Sequence, residues 1–300
     1  MTTADRPVRW YRIEHRTRYR YSDAVNASYG RGYMRPRALD SQECREYTLT
    51  VAPAPTDAAE GVDVYGNSDS YFHVTEAHDE LLVVGVSVVR VQRPEIDLLD
   101  AALPWELARP EACEAPDAVD FVLSSPKVLL TDEVRAYAAE SFTEGRPLAE
   151  AVRDLTSRIH SDFTYEQGST DVGTSIPEVM AERSGVCQDF AHLAVACLRS
   201  MGLPGRYVSG YLATDPPPGR ERMVGVDASH AWAAVRLPAG QWLAFDPTND
   251  QFVDERYTTV AWGRDYADVP PLRGVIYSDA ESSTMDVSVD VAPIPPPLSL

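Results

Sequence analysis

Cysteine is scarce in this chain. Cys44, Cys113, Cys187 and Cys197 are scattered, with no CxxC pair and no Cys/His cluster at zinc spacing. That excludes a disulfide framework and a zinc ribbon as expectations and makes a reducing, cytoplasmic setting with free thiols the default. Long apolar runs are missing too. Nothing approaches the ~20 residues of a membrane span, and the longest stretch, Leu81 to Val91, contains Ser87 and Arg90 and reads as a strand. The first ten residues hold no apolar segment of a secretory signal, so no membrane contact is expected. Neither a P-loop nor a GxGxxG occurs, and Asp63, Asn67 and Asp69 lack calcium-loop spacing. No nucleotide, metal or other cofactor is therefore expected. Cations are short as well. The formal net charge is -19, which argues against nucleic acid as a partner, since phosphate binding needs clustered cations. The deficit is uneven: residues 1–50 hold ten arginines against six acids, net +4, and the other 250 carry -23. Lysine is reduced to Lys127 alone, so the protein offers almost no amine of its own.

What remains is a chain of 300 residues with ordinary globular composition, long enough for about two domains. Tyr11, Ile13, His15, Thr17, Tyr19 and Tyr21 alternate with Arg12, Glu14, Arg16, Arg18 and Arg20, the period of a half-buried strand. The arginine row reads as a solvated face paired with acids on neighbouring strands. Further strands are expected at 46–51, 70–76 and 81–91, separated by Pro, Gly, Asn and Asp. Residues 1–95 thus read as an all-β, sandwich-like domain. Residues 96–126, punctuated by Pro104, Pro110, Pro116 and Pro126, read as a connection. Residues 127–275 form the second domain and 276–300 bring a last strand, 284–294, which this reading groups with the second domain's sheet. Helical periodicity marks 132–141 and 148–159. The strongest helix is 187–201, with the stripe Phe190, Ala194, Cys197, Leu198 and Met201, a C′ candidate in Gly202 and then Pro204. Strands follow at 206–213, 230–237 and 241–245. The fold class is α+β, helices packed on an antiparallel sheet.

Three side chains stand out. Cys187 follows Gly185-Val186 and starts a helix, where half a positive charge and free N–H groups stabilise a thiolate and can face an oxyanion. His230 opens one strand and Asp246 ends the next. A short turn joins these strands, so antiparallel pairing brings the start of one beside the end of the other. A thiol, an imidazole to take its proton and a carboxylate to hold the imidazole form a nucleophilic constellation. Each has a plainer reading alone, as a buried thiol or a satisfied strand-end polar group; together they read as catalytic. His192 lies about 140° round the helix from Cys187 and reads as structural, and Cys197 as a core thiol. Gln188 and Asp189, in the first helical turn, read as shaping the site.

The blocks Gly185-Val-Cys-Gln-Asp-Phe-Ala-His192, Arg206-Tyr-Val-Ser-Gly-Tyr211, Ala228-Ser-His-Ala-Trp232, Phe245-Asp-Pro-Thr-Asn249 and Gly263-Arg-Asp-Tyr-Ala-Asp268 resemble the bacterial transglutaminase-like family, within the papain-like thiol superfamily. Tyr11 to Tyr21, Pro36-Arg37 and Val64-Tyr-Gly-Asn67 are similar to its β-rich N-terminal domain. The resemblance implies a triad of Cys187, His230 and Asp246 and a thioester intermediate. Animal transglutaminases of this superfamily depend on calcium and place a tryptophan in the oxyanion site. Neither a calcium loop nor an obvious upstream tryptophan is found here, and Tyr165 is the substitute donor beside the Cys187 backbone N–H. The leading reading is a hydrolase of peptide or amide bonds. Acyl transfer to an amine and a non-catalytic binding or assembly module stand as alternatives. Loops 168–175 and 214–227 are where specificity is expected.

Overall fold

The computed structural model describes residues 6–110, 116–166, 173–214, 229–278 and 280–297. Cys113 and most of the two specificity loops lie outside these residues.

The chain opens with a 25-residue strand, β1 (Val8–Gly32). The alternation read over its first half holds: Tyr11, Ile13, His15 and Thr17 are buried. On the other face Arg18 and Arg20 reach Glu80 at 3.5 and 3.3 Å, and Arg20 reaches Asp286 at 3.0 Å. Next come β2 (Gln42–Ala52), β3 (Asp57–Val62), β4 (Ser68–Val74) and β5 (His78–Gln92). Their order in the seven-stranded sheet is β2-β5-β1-β4-β3. A register break between Arg20 and Val25 divides β1, so its first half pairs with β5 and its second with β4. The sheet thereby curls on itself, and Met34, Phe72, Val74, Leu81 and Val83 fill the fold. β3, exposed along its length, escaped sequence reading because it has no buried face to impose alternation.

Two four-residue helices, α1 (Leu98–Ala101) and α2 (Pro116–Val119), lie in the connection. The core unit follows with α3 (Asp132–Ser141), α4 (Leu148–Asp162) and a short parallel pair, β6 (Thr164–Tyr165) with β7 (Ser184–Gly185). Between those two strands lies α5 (Ile176–Glu182), and after them α6 (Cys187–Ser200). Thr131 caps α3 by accepting from the Val134 N–H at 3.2 Å. Gly202, at φ 78°, turns the chain out of α6, as its C′ position required. The core sheet has the order β11-β10-β9-β8-β12, comprising β8 (Gly205–Leu212), β9 (Ser229–Arg236), β10 (Trp242–Asp246), β11 (Gln251–Phe252) and β12 (Tyr257–Gly263). Helix α6 packs on one face, against Ala231, Ala233, Val235 and Tyr207.

The last strands correct the sequence reading. β13 (Leu272–Ser278) and β14 (Ser283–Pro293) do not extend the core sheet; both pair antiparallel with β1. Val289 and Val291 of β14 are buried while Met285 and Val287, in the same alternation, are exposed. Only the end of β14 beside Tyr11 and Ile13 meets the core.

Candidate active site

Four local structures converge. The loop entering α6 places Cys187 at the first helical position, after Val186 in extended conformation. The carbonyl of Val186 accepts from the Asp189 and Phe190 N–H groups, so those of Cys187 and Gln188 lie ahead of the helical ladder. Asp189 is buried, and its carboxylate reaches back to the Val186 N–H at 2.8 Å. It lies so tightly over Gly185 that a Cβ there would stand 2.9 Å from its Oδ2. The pairing explains both residues: glycine makes room, and the acid fixes the turn that presents the thiol. Half-buried Gln188 follows Cys187 in the same turn.

Tyr165 stands in register with Gly185 across β6 and β7, two residues from Cys187. Its ring lies 6.4 Å from that of Phe190 and is half exposed.

The hairpin of β9 and β10 brings His230 and Asp246 together as antiparallel pairing requires. His230 Nε2 meets Asp246 Oδ2 at 2.7 Å. The carboxylate is completely buried and saturated. Its Oδ1 accepts from the Thr248 and Asn249 N–H groups at 2.8 and 3.3 Å. Its Oδ2 also takes the Asn249 side-chain amide at 2.6 Å and the Tyr257 hydroxyl at 2.8 Å. Burial opposes its ionisation, but these donors, His230 foremost, hold the carboxyl below the usual aspartate range. Burial likewise opposes charge on His230. The hydrogen bonds to Asp246 and Cys187 overcome it and push the imidazole up to about 10. With Nε2 engaged by Asp246, Nδ1 is the ring nitrogen left for the thiol.

Sequence reading missed Tyr257 as part of the site. It comes from β12, which has weak alternation, and donates to Asp246 while accepting from the Gln251 side chain. Only Asn249, three residues after Asp246 in Asp-Pro-Thr-Asn, had a visible signal.

The residues set aside fall where expected. His192 is buried and accepts the Tyr266 N–H at Nε2, 3.1 Å; burial pushes its pKa down to about 4, so it is neutral. The Cys197 thiol is fully buried and pushed up to about 12. Among the described residues no cluster of three metal-ligating side chains occurs, and no helix is long and apolar enough to cross a membrane.

Residues 11–90 match the bacterial transglutaminase-like N-terminal region, and residues 135–247 match the transglutaminase-like superfamily. An uncharacterized protein of Mycobacterium tuberculosis is 55% identical over 290 residues, covering 94% of this chain and 92% of its own. One from Mycobacterium leprae is 34% identical over 284 residues, covering 93% and 97%. Among solved structures, "a Putative Cysteine Protease from Cytophaga hutchinsonii" superposes with a TM-score of 0.76, covering 98% of this chain and 93% of that one. At 23% identity the likeness speaks for the fold alone. On these matches the chain belongs to the bacterial transglutaminase-like family, a transglutaminase-like core behind that family's N-terminal β region.

Proposed function

We propose that the protein is a cysteine-dependent hydrolase of peptide or amide bonds, with Cys187 as nucleophile, His230 as acid and base, and Asp246 as orienter. The observation that carries this reading is the buried 2.7 Å pairing of His230 with Asp246 beside the thiol at the start of α6. In this reading His230 takes the thiol proton as the sulfur attacks, and the carboxylate behind it holds the imidazole. The thiolate attacks the carbonyl carbon, and the oxyanion faces the Cys187 N–H, with the Tyr165 hydroxyl as second donor. The C–N bond breaks as His230 gives its proton to the leaving amine. Water then loses a proton to His230 and attacks the thioester. The C–S bond breaks, releasing the acid, and His230 returns its proton to the sulfur. Gln188 and Asp189 shape the turn that carries the thiol. The partner is a peptide or small amide, and the setting a reducing cytoplasm.

Mass spectrometry after stoichiometric iodoacetamide tests the nucleophile. Cys187 is expected to react at least about tenfold faster than Cys197 and to slow by roughly 10²-fold in a His230→Ala variant. Equal labelling of the two thiols would defeat the reading. Incubation with amide-bearing peptides and a labelled primary amine tests the acceptor: net hydrolysis is expected, and amine incorporation exceeding it would make the protein a transferase.

A further inference from the structure

A cavity of about 150 Å³ lies in the seam between the core sheet and the β-rich unit, on the sheet face away from α6. Strand register creates it. Arg206 of β8 stands opposite Ala234 of β9, which stands opposite Ala244 of β10. The small Ala244 in the row of the arginine leaves space, and Trp232, Trp242 and Trp262 wall it. Leu39 and Ile96, from outside the core sheet, close it.

The arginine is the unexplained part. Its guanidinium carbon lies 4.2 Å from the Trp242 ring centre and 3.7 Å from that of Trp262. Nε is buried without a hydrogen-bond partner. Burial and then the like charge of Arg37 disfavour its protonated form, and no acid among the described residues offsets them. Arg37, 3.4 Å over the other face of Trp262, has its own acceptor in Asn67. Arg206 as a whole is half-buried, with Nε sealed; a guanidinium desolvated without an anionic partner is costly, and two tryptophan faces return only part of that cost.

We propose that this cavity binds a small aliphatic monocarboxylate, its oxygens on Arg206 and its alkyl tail against Val208 and Val253. Guanidinium and carboxylate are geometrically matched. The lining is otherwise mainly apolar, which favours a short hydrocarbon tail over a compact, strongly hydrated anion. A volume near 150 Å³ suits a ligand of about six heavy atoms, since a cavity of that size holds benzene in another protein. The site is separate from the thiol. Cys187 does not line it, while Trp232 stands between the cavity and His230, their rings 6.1 Å apart.

Titration of the full chain with sodium propionate, against equal sodium chloride, tests the proposal through tryptophan emission and Tm. A saturable emission change is expected with propionate, and a Tm rise of about 2 °C or more at saturation. Arg206→Met, which removes the cation, abolishes both. Ala244→Val, which narrows the cavity but keeps the cation, weakens them at least about tenfold and decides the matter should the first variant fail to fold. Equal effects of chloride and propionate, or an undiminished response in either folded variant, would overturn it.

Discussion

The sharpest contrast within the molecule is between two thiols on one helix. Cys187 and Cys197 are ten residues apart, and only the first meets a polar partner; the second is sealed in the core. Both positions were legible in sequence: one residue begins the helix and the other lies mid-stripe. The saturation of Asp246 was not legible, since Tyr257 arrives from a strand that pattern alone does not reveal. The raised pKa of His230 has a consequence for stability. Below its ordinary value of 6.5 the imidazole is protonated in both folded and unfolded chains, and the folded state keeps the full benefit of the Asp246 contact. As pH rises from 6.5 towards 10 the unfolded chain gives up this proton first, so the benefit is progressively lost. Urea unfolding at pH 6, 8 and 10 is expected to show the wild type losing stability over this interval more steeply than His230→Gln. Parallel slopes would mean that His230 titrates alike in both states.

Individual elements declared themselves when one of their faces was buried. The start of β1, α3, α6 and the β9–β10 hairpin were all visible in sequence, because burial on one side writes a period into the chain. β3 and the two-residue β6, β7 and β11 carry no such period and were invisible. The strand beside the hairpin adds a further constraint. Gly210 of β8 lies opposite His230, and a Cβ at that position would stand 2.1 Å from the Thr258 carbonyl and 2.5 Å from the Trp232 ring. Thr258 is backbone and Trp232 is fully buried, so neither can yield cheaply. Gly210→Ala is expected to cost about 1–3 kcal/mol in urea unfolding. It is also expected to slow Cys187 alkylation, because Trp232 and His230 project from the same face of β9. An alanine variant of unchanged stability would show that the β8–β12 pairing has slack.

At the scale of the whole molecule, two amide side chains join the β-rich unit to the core. The Gln42 amide donates to the Thr259 carbonyl and accepts from its N–H, both at 2.7 Å. Asn67 does the same for Trp262, at 2.8 and 2.9 Å. β12 is the edge of the core sheet, and these side chains occupy its outward hydrogen-bonding groups as a further strand would. Tyr11 adds a bond to the Glu255 carbonyl, and buried His15 one to the Tyr211 hydroxyl. Around them one hydrophobic cluster runs from Val291 of β14 through Ile13 of β1 to Cys197 of α6. A sequence split into successive domains conceals this continuity, because the pairing of β14 with β1 joins residues as far apart as Tyr11 and Pro293 and leaves no local period. The expectation is that the two units melt as one. Val291→Asp places a carboxyl in the shared cluster, and about 3 kcal/mol or more should be lost. Cys197 reports on the core from the far side of that cluster. In the variant, its reaction with a thiol reagent should begin at the same lowered urea concentration at which sheet circular dichroism is lost. Protection of Cys197 persisting after the sheet signal has gone would show that the core holds without its β-rich partner.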